Sequence, residues 1–114
     1  MKRDITFAGK KITLATSGVS PIIYKTVFHR DYFADVNSII SSVSEAKNGA
    51  EAFSDLLSSG SATLLLNFIW LYAKNADDSI KEQIEWLKQF DDAPFTDLWP
   101  LVDLIGNSIE TKKG

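Results

Sequence analysis

Residues 62–73 read Ala-Thr-Leu-Leu-Leu-Asn-Phe-Ile-Trp-Leu-Tyr-Ala. Wound as a helix, this stretch is apolar on nearly every side, with Thr63 and Asn67 the interruptions. A helix of that kind has to be covered all round, by its own fold or by another chain. It is shorter than the ~20 residues that a membrane span needs, so it is expected to be a core helix. In a chain of 114 residues, covering it fully is difficult, and surplus apolar surface with a binding role is the first expectation.

Downstream of this helix, expected to run to about Asn75, Asp77-Asp78-Ser79 opens another, because Ser79 and Glu82 have the spacing of a capping box. Its stripe is Ile80, Ile84 and Leu87, with Trp86 and Phe90 beside it. Asp91-Asp92-Ala93-Pro94 reads as a loop, and a last helix covers about 97–108. Pro100 fits there within the first turn, so the helix should start between Thr96 and Leu98. Residues 109–114 should be loose.

Upstream, residues 4–8 and 12–15 alternate, with Ile5 and Phe7 on one face and Ile12 and Leu14 on one face. Gly9-Lys10 between them signals a β-hairpin, Gly9 supplying positive φ. A lone hairpin is marginal in water, so it must lie on helices or pair with a strand of another subunit. Ser20-Pro21 then starts a helix, Ser20 as cap and Pro21 at the first position. Ile23, Tyr24, Val27 and Phe28 form its stripe. Asp31 caps the next helix, about 32–47, which should bury Phe33, Val36, Ile39, Ile40 and Val43 and stop at Asn48-Gly49. Residues 50–57 fit a short helix with Ser58-Ser59-Gly60 as its exit, and Ser61 caps the apolar helix. The expected fold is one domain, mainly α: a bundle of about five helices over 20–108 with an N-terminal β-hairpin at 4–15.

Composition narrows the function. An apolar fraction of 45% suits a globular chain. The start Met-Lys-Arg-Asp-Ile-Thr lacks the apolar core of a signal peptide. With no cysteine, neither disulfide nor thiolate chemistry is available, and a cytosolic setting is expected. A net charge of −3 argues against nucleic acid, since phosphate binding calls for a dense positive field. Lys10-Lys11 and Lys112-Lys113 sit at a turn and a tail, where solvation explains them. A helix-turn-helix around His29-Arg30-Asp31 would place Asp31, Tyr32 and Asp35 where a recognition helix wants Arg, Lys, Asn or Gln.

Nor does a catalytic pattern emerge. His29 is the single histidine, and there is no Gly-x-Ser-x-Gly elbow. Metal sites recruit several His or Cys ligands. The carboxylate pairs Asp77-Asp78 and Asp91-Asp92 lie at helix boundaries, where acidic residues suit the helix dipole. No phosphate loop or dinucleotide fingerprint is present. The expectation is a non-enzymatic protein with no cofactor and no metal.

What remains is apolar surface. Trp70, Trp86 and Trp99 fall in three expected helices, and core packing explains the first two. The last helix differs. Leu98, Leu101, Val102 and Ile105 make one stripe with Trp99 at its flank, and terminal elements are released at low cost. Leu98, Trp99, Leu101, Val102 and Ile105 are therefore the candidate partner-binding residues.

Several segments together resemble one family. They are Ile5-Thr-Phe-Ala-Gly-Lys-Lys-Ile-Thr-Leu14, Gly18-Val-Ser-Pro-Ile-Ile-Tyr-Lys-Thr-Val-Phe28, Arg30-Asp31-Tyr32-Phe33, Trp70-Leu-Tyr-Ala-Lys-Asn-Ala-Asp77, Glu85-Trp86-Leu87 and Phe90-Asp91. In order and spacing the chain resembles the tail assembly chaperones of long, non-contractile-tailed bacteriophages of Gram-positive hosts. The likeness covers most of the chain and is weakest over 41–61. His29 stands where relatives often carry Gly before Arg-Asp; histidine enters the left-handed region more readily than bulky residues. The resemblance implies a chaperone that binds the tape measure protein, a long apolar helical chain, and keeps it soluble in the host cytoplasm until tail-tube subunits displace it. Such a chaperone is not expected in the mature virion. Exchangeable binding along a long client favours many weak sites. Self-association is therefore expected, in an open helical array, through the hairpin edge and the last helix. The alternative is a structural tail or head–tail connector component retained in the virion.

Overall fold

A computed structural model describes residues 1–44 and 46–109. Its elements are β1 (Lys2–Phe7), β2 (Lys10–Ala15), α1 (Ser20–Phe28), α2 (Tyr32–Ser44), α3 (Gly49–Ser58), α4 (Leu64–Ala76), α5 (Gln83–Leu87), a 3₁₀ turn (Phe95–Leu98) and α6 (Trp99–Ser108). The fold is mainly helical with an N-terminal antiparallel hairpin. Among the described residues no helix is long and apolar enough to cross a membrane.

The apolar helix α4 is the axis of the molecule. It touches β2, α1, α5 and α6, and Leu65, Phe68, Ile69, Trp70, Leu71, Tyr72 and Ala73 are all buried. The chain therefore covers this helix with its own elements. The hairpin supplies one wall: Ile5 pairs with Ile12, and Ile5, Phe7, Ile12 and Leu14 all point into the core. Its turn is Ala8-Gly9, both with positive φ (51° and 79°), rather than the Gly9-Lys10 expected from the sequence. Positive φ at both central positions is the mark of a type I′ hairpin turn, whose twist matches that of the strands. Here the Ala8 N–H also donates to Asp97 Oδ2 at 3.0 Å, which fixes the turn against the 3₁₀ segment. Arg3 Nη1 donates to Asp103 Oδ2 at 2.7 Å and Pro100 O at 3.2 Å, tying β1 to α6.

Several caps differ from expectation. Ser20 is buried and does not cap α1. Its hydroxyl accepts from Asn75 Nδ2 at 3.0 Å, and the same amide donates to Ala15 O at 3.1 Å, joining α4 to the end of β2. The end of α1 is a left-handed cap at His29 (φ 57°, ψ 35°), whose N–H donates to Lys25 O at 2.9 Å. Asp31 does cap α2, accepting from the Ala34 N–H at 2.8 Å. Asn48 opens α3 instead of closing α2, its side chain accepting from the Glu51 N–H at 2.9 Å. Ser61 is buried short of α4, whose first residue follows Thr63. The expected capping box at Ser79 is absent: Asp77 Oδ1 takes the Ser79 N–H and hydroxyl at 3.0 and 2.7 Å, so α5 starts later, at Gln83. The tail at 110–114 lies outside the described residues.

Polar ties cross the core where helices meet. The Tyr32 and Tyr72 hydroxyls are 2.6 Å apart, and both reach Ser108 Oγ, joining α2, α4 and α6. Burial pushes the Tyr72 phenol well above its ordinary value, with the neighbouring Tyr32 adding to it. Gly106 lets α6 approach α2 closely, since a Cβ there would sit 3.3 Å from Ile40 Cδ1. Among the described residues every buried side-chain nitrogen and oxygen has a hydrogen-bond partner.

Candidate binding groove

The stripe expected to bind a partner faces inwards. Leu98, Leu101, Val102 and Ile105 are buried in the core. Trp99 is half-buried against Phe53, their rings 4.5 Å apart, with Phe95 tilted beside them at 4.9 Å from Phe53. The structure brings the five residues together, but as part of the seam that fixes α6 on α2 and α4. In this arrangement a partner reaches the stripe only when α6 is released.

The apolar surplus lies elsewhere. Helix α1 buries Ser20 and Tyr24 and packs Ile23 and Phe28 partly against the core, which leaves its other side outside. Ile22 is 66% exposed and Val27 46%, with Val19 also exposed. At helical spacing, Val19, Ile22 and Thr26 share the solvent side of α1, with Val27 at its edge and Ile23 partly buried against the core. Across from α1, Ile84 on α5 is 73% exposed, whereas the sequence periodicity places it in a buried stripe. Val27 and Ile84 edge an open groove of about 590 Å³ with Phe28, Trp70, Glu82, Gln83 and Glu85 as the remaining lining. The Phe28 and Trp70 rings meet edge to face at 5.7 Å and form its aromatic floor.

Directed bonds from α5 and from the loop before it orient the helix beside this groove. Gln83 Nε2 donates to Asn67 Oδ1 at 2.7 Å and to Leu66 O at 3.1 Å. Trp70 Nε1 donates to Lys81 O at 2.8 Å. Lys74 Nζ donates to Asp78 O at 2.7 Å and also to Ile80 O. Of the side chains on α5, Trp86 is the buried anchor.

From Gln83 a hydrogen-bonded chain runs beneath the groove. Asn67 Nδ2 donates to the Tyr24 hydroxyl at 3.3 Å, which donates to Asp35 Oδ2 at 2.6 Å. Arg30 completes it with a bidentate pair, Nε to Asp35 Oδ2 at 2.7 Å and Nη2 to Oδ1 at 2.8 Å. Burial alone would raise the Asp35 carboxyl, but the bonds from Arg30 and Tyr24 and the Arg30 charge outweigh it and hold the group below its ordinary value. Tyr24 is pushed well up by burial and by its bond to Asp35. These groups fix the angle between α1, α2 and α4, and with it the groove wall.

A second shallow hollow, about 420 Å³, lies where Met1, Pro21, Phe33 and Ile109 meet. Phe33, expected in the core, is 56% exposed there. Thr16, Ser17 and Ser108 share the lining, making it more polar than the α1–α5 groove.

No protein-family model, no curated protein and no solved structure matches this chain.

Proposed function

We propose that this protein is a tail assembly chaperone of a long, non-contractile-tailed phage, acting on the tape measure protein without catalysis. The observation that carries the reading is the α1–α5 groove, about 590 Å³ and open, with Val27 and Ile84 exposed at its edges over an aromatic floor. A helix with an apolar stripe aggregates when bare, and a groove of this shape shields such a stripe in the manner of helix-in-groove recognition. Val27 and Ile84, at the groove's edges, are surplus to the core, so the chaperone can exchange its client without unfolding. That suits a binder which tube subunits must displace in the host cytoplasm. Self-association through the hairpin remains part of the proposal: β1 and β2 pair with each other and with no other described strand, which leaves backbone groups on their outer edges for a neighbouring copy.

Co-expression with fragments of the tape measure protein tests the assignment. An otherwise insoluble fragment should become soluble and co-purify, and mass spectrometry of purified virions should find no copy of the chaperone. A fragment that stays insoluble overturns the chaperone reading, and a stoichiometric virion copy replaces it with a structural tail component.

A further inference from the structure

We infer that the α1–α5 groove accepts an amphipathic helix whose apolar stripe is flanked by Lys or Arg; this rests on the chaperone reading and adds the charge pattern of the client. The charged side chains lining the groove are Glu82 and Glu85, both on the α5 side beside Ile84. Gln83, between them, commits its amide N–H groups to Leu66 O and Asn67 Oδ1 and carries no charge. Glu82 has no ion pair among the described residues, and Glu85 has Lys88 at 3.6 Å, both side chains mostly exposed. An exposed pair of that kind contributes little and is readily exchanged for another cation. The opposite wall, α1, contributes Val27 and Phe28 to the lining; the helix has no acidic residue, and its one charged residue, Lys25, is not among the lining side chains. The groove is thus apolar along one side and along its floor, and negative along the other side. A helix seated on Val27, Phe28 and Ile84 would carry its flanking residues past Glu82 and Glu85, where cations are attracted and carboxylates repelled.

The same charges disfavour a second copy as occupant. A two-fold contact through this groove would set Glu82 and Glu85 of one subunit near the same residues of the other. Like charges so placed are unfavourable, and a net charge of −3 on each chain adds to the repulsion. A basic-flanked helix from a different protein meets neither obstacle.

The test uses the full chain and two synthetic helical peptides with one leucine stripe at i, i+3, i+4 and i+7 spacing, one flanked by Lys and one by Glu. Binding is followed by calorimetry and by tryptophan fluorescence, since Trp70 forms part of the groove floor. The Lys-flanked peptide should bind about tenfold more tightly at low salt, and the gap should narrow once the Debye length falls below ~10 Å. Glu82→Lys combined with Glu85→Lys should reverse the preference. Ile84→Asp should abolish binding of both peptides with unchanged circular dichroism, because Ile84 is exposed. Equal affinity for the two peptides, or no reversal in the double variant, overturns the charge pattern and leaves helix binding in place. Failure of both peptides to bind, or full binding by Ile84→Asp, overturns the groove as the site, and the co-expression experiment then decides the chaperone reading separately. A concentration-dependent dimer that Ile84→Asp dissolves makes a second copy the occupant and overturns the inference.

Discussion

Helices α4 and α5 are neighbours in sequence and in space, yet the chain treats their apolar residues in opposite ways. Along α4 every large apolar residue from Phe68 to Tyr72 is buried, enclosed by four other elements. Helix α5 buries Trp86 and partly Leu87, leaves Ile84 in solvent, and is oriented by hydrogen bonds from Gln83 and, through the loop before it, from Trp70 and Lys74. Hydrophobic burial scales with area removed from water, so α4 sets the stability of the fold. With one buried side chain, α5 contributes less, and directed bonds orient it so that Ile84 stays available. A protein that must fold firmly and also present apolar surface divides the two tasks between segments.

The largest effect should come from breaking the covered region. Phe68 is fully buried, with the rings of Tyr24, Tyr32 and Tyr72 at 4.9, 5.3 and 6.0 Å. Phe68→Ala should cost about 3–5 kcal/mol through lost transfer energy and the cavity left behind. Ile84→Ala should stay within about 0.5 kcal/mol, as surface truncations do. Urea denaturation of both variants measures the contrast, and similar costs at the two sites would erase it.

A middle-sized effect should come from the polar chain joining the two regions. Asp35 accepts from Tyr24 and twice from Arg30, so Asp35→Asn should cost about 2 kcal/mol near neutral pH, in the range for bonds to charged groups. The pH dependence carries a sign. The folded Asp35 carboxyl titrates below its unfolded value, so its contribution is present above the unfolded value of about 3.9 and is lost as pH falls through the folded one. Unfolding free energy followed from pH 6 downwards should therefore fall more steeply in the wild type than in Asp35→Asn, the curves converging at low pH. Parallel curves would mean that the carboxylate is not charged against Arg30 in the folded state.

Much of the architecture was legible because local chemistry and tertiary packing agree. Alternation at Ile5, Phe7, Ile12 and Leu14 gave the hairpin, and Asp31 gave the start of α2. The turn slipped by one residue because Ala8 at positive φ leaves no signature in sequence, while the tie from Asp97 that holds it is distant. Asn48-Gly49 is ambiguous by nature, since Asn serves both ends of helices, and here it begins one. The capping box failed because Asp77 competes for Ser79 two residues away. The candidate site was the least legible. Periodicity reports that Leu98, Leu101, Val102 and Ile105 share a face, but it does not say whether that face meets the chain's own core or a partner. Ile84 fitted a stripe that a five-residue helix is too short to bury. The usable signal lay in α1: Ser-Pro-Ile-Ile-Tyr-Lys-Thr-Val-Phe is also apolar on most sides, like residues 62–73, but it lies at the surface.

The smallest effect should be the most diagnostic. If α5 is positioned by directed bonds, Gln83→Ala removes two of them, to Leu66 O and Asn67 Oδ1, while leaving Trp86 in the core. The global cost should be about 1 kcal/mol, the net worth of ordinary hydrogen bonds. The local consequence should be larger than that figure suggests, because segments with few buried contacts open independently of the global unfolding. Amide exchange at Trp86 and Lys88, whose N–H groups donate to Glu82 O and Ile84 O, should quicken in the variant. Exchange along Phe68–Tyr72 should follow only the small global change. Loss of protection in α4 equal to that in α5 would show one cooperative unit, and the division of tasks between the two helices would no longer stand. Confined loss would show that the wall carrying Ile84 can move without disturbing the core, which is the freedom a groove needs if it is to release its client.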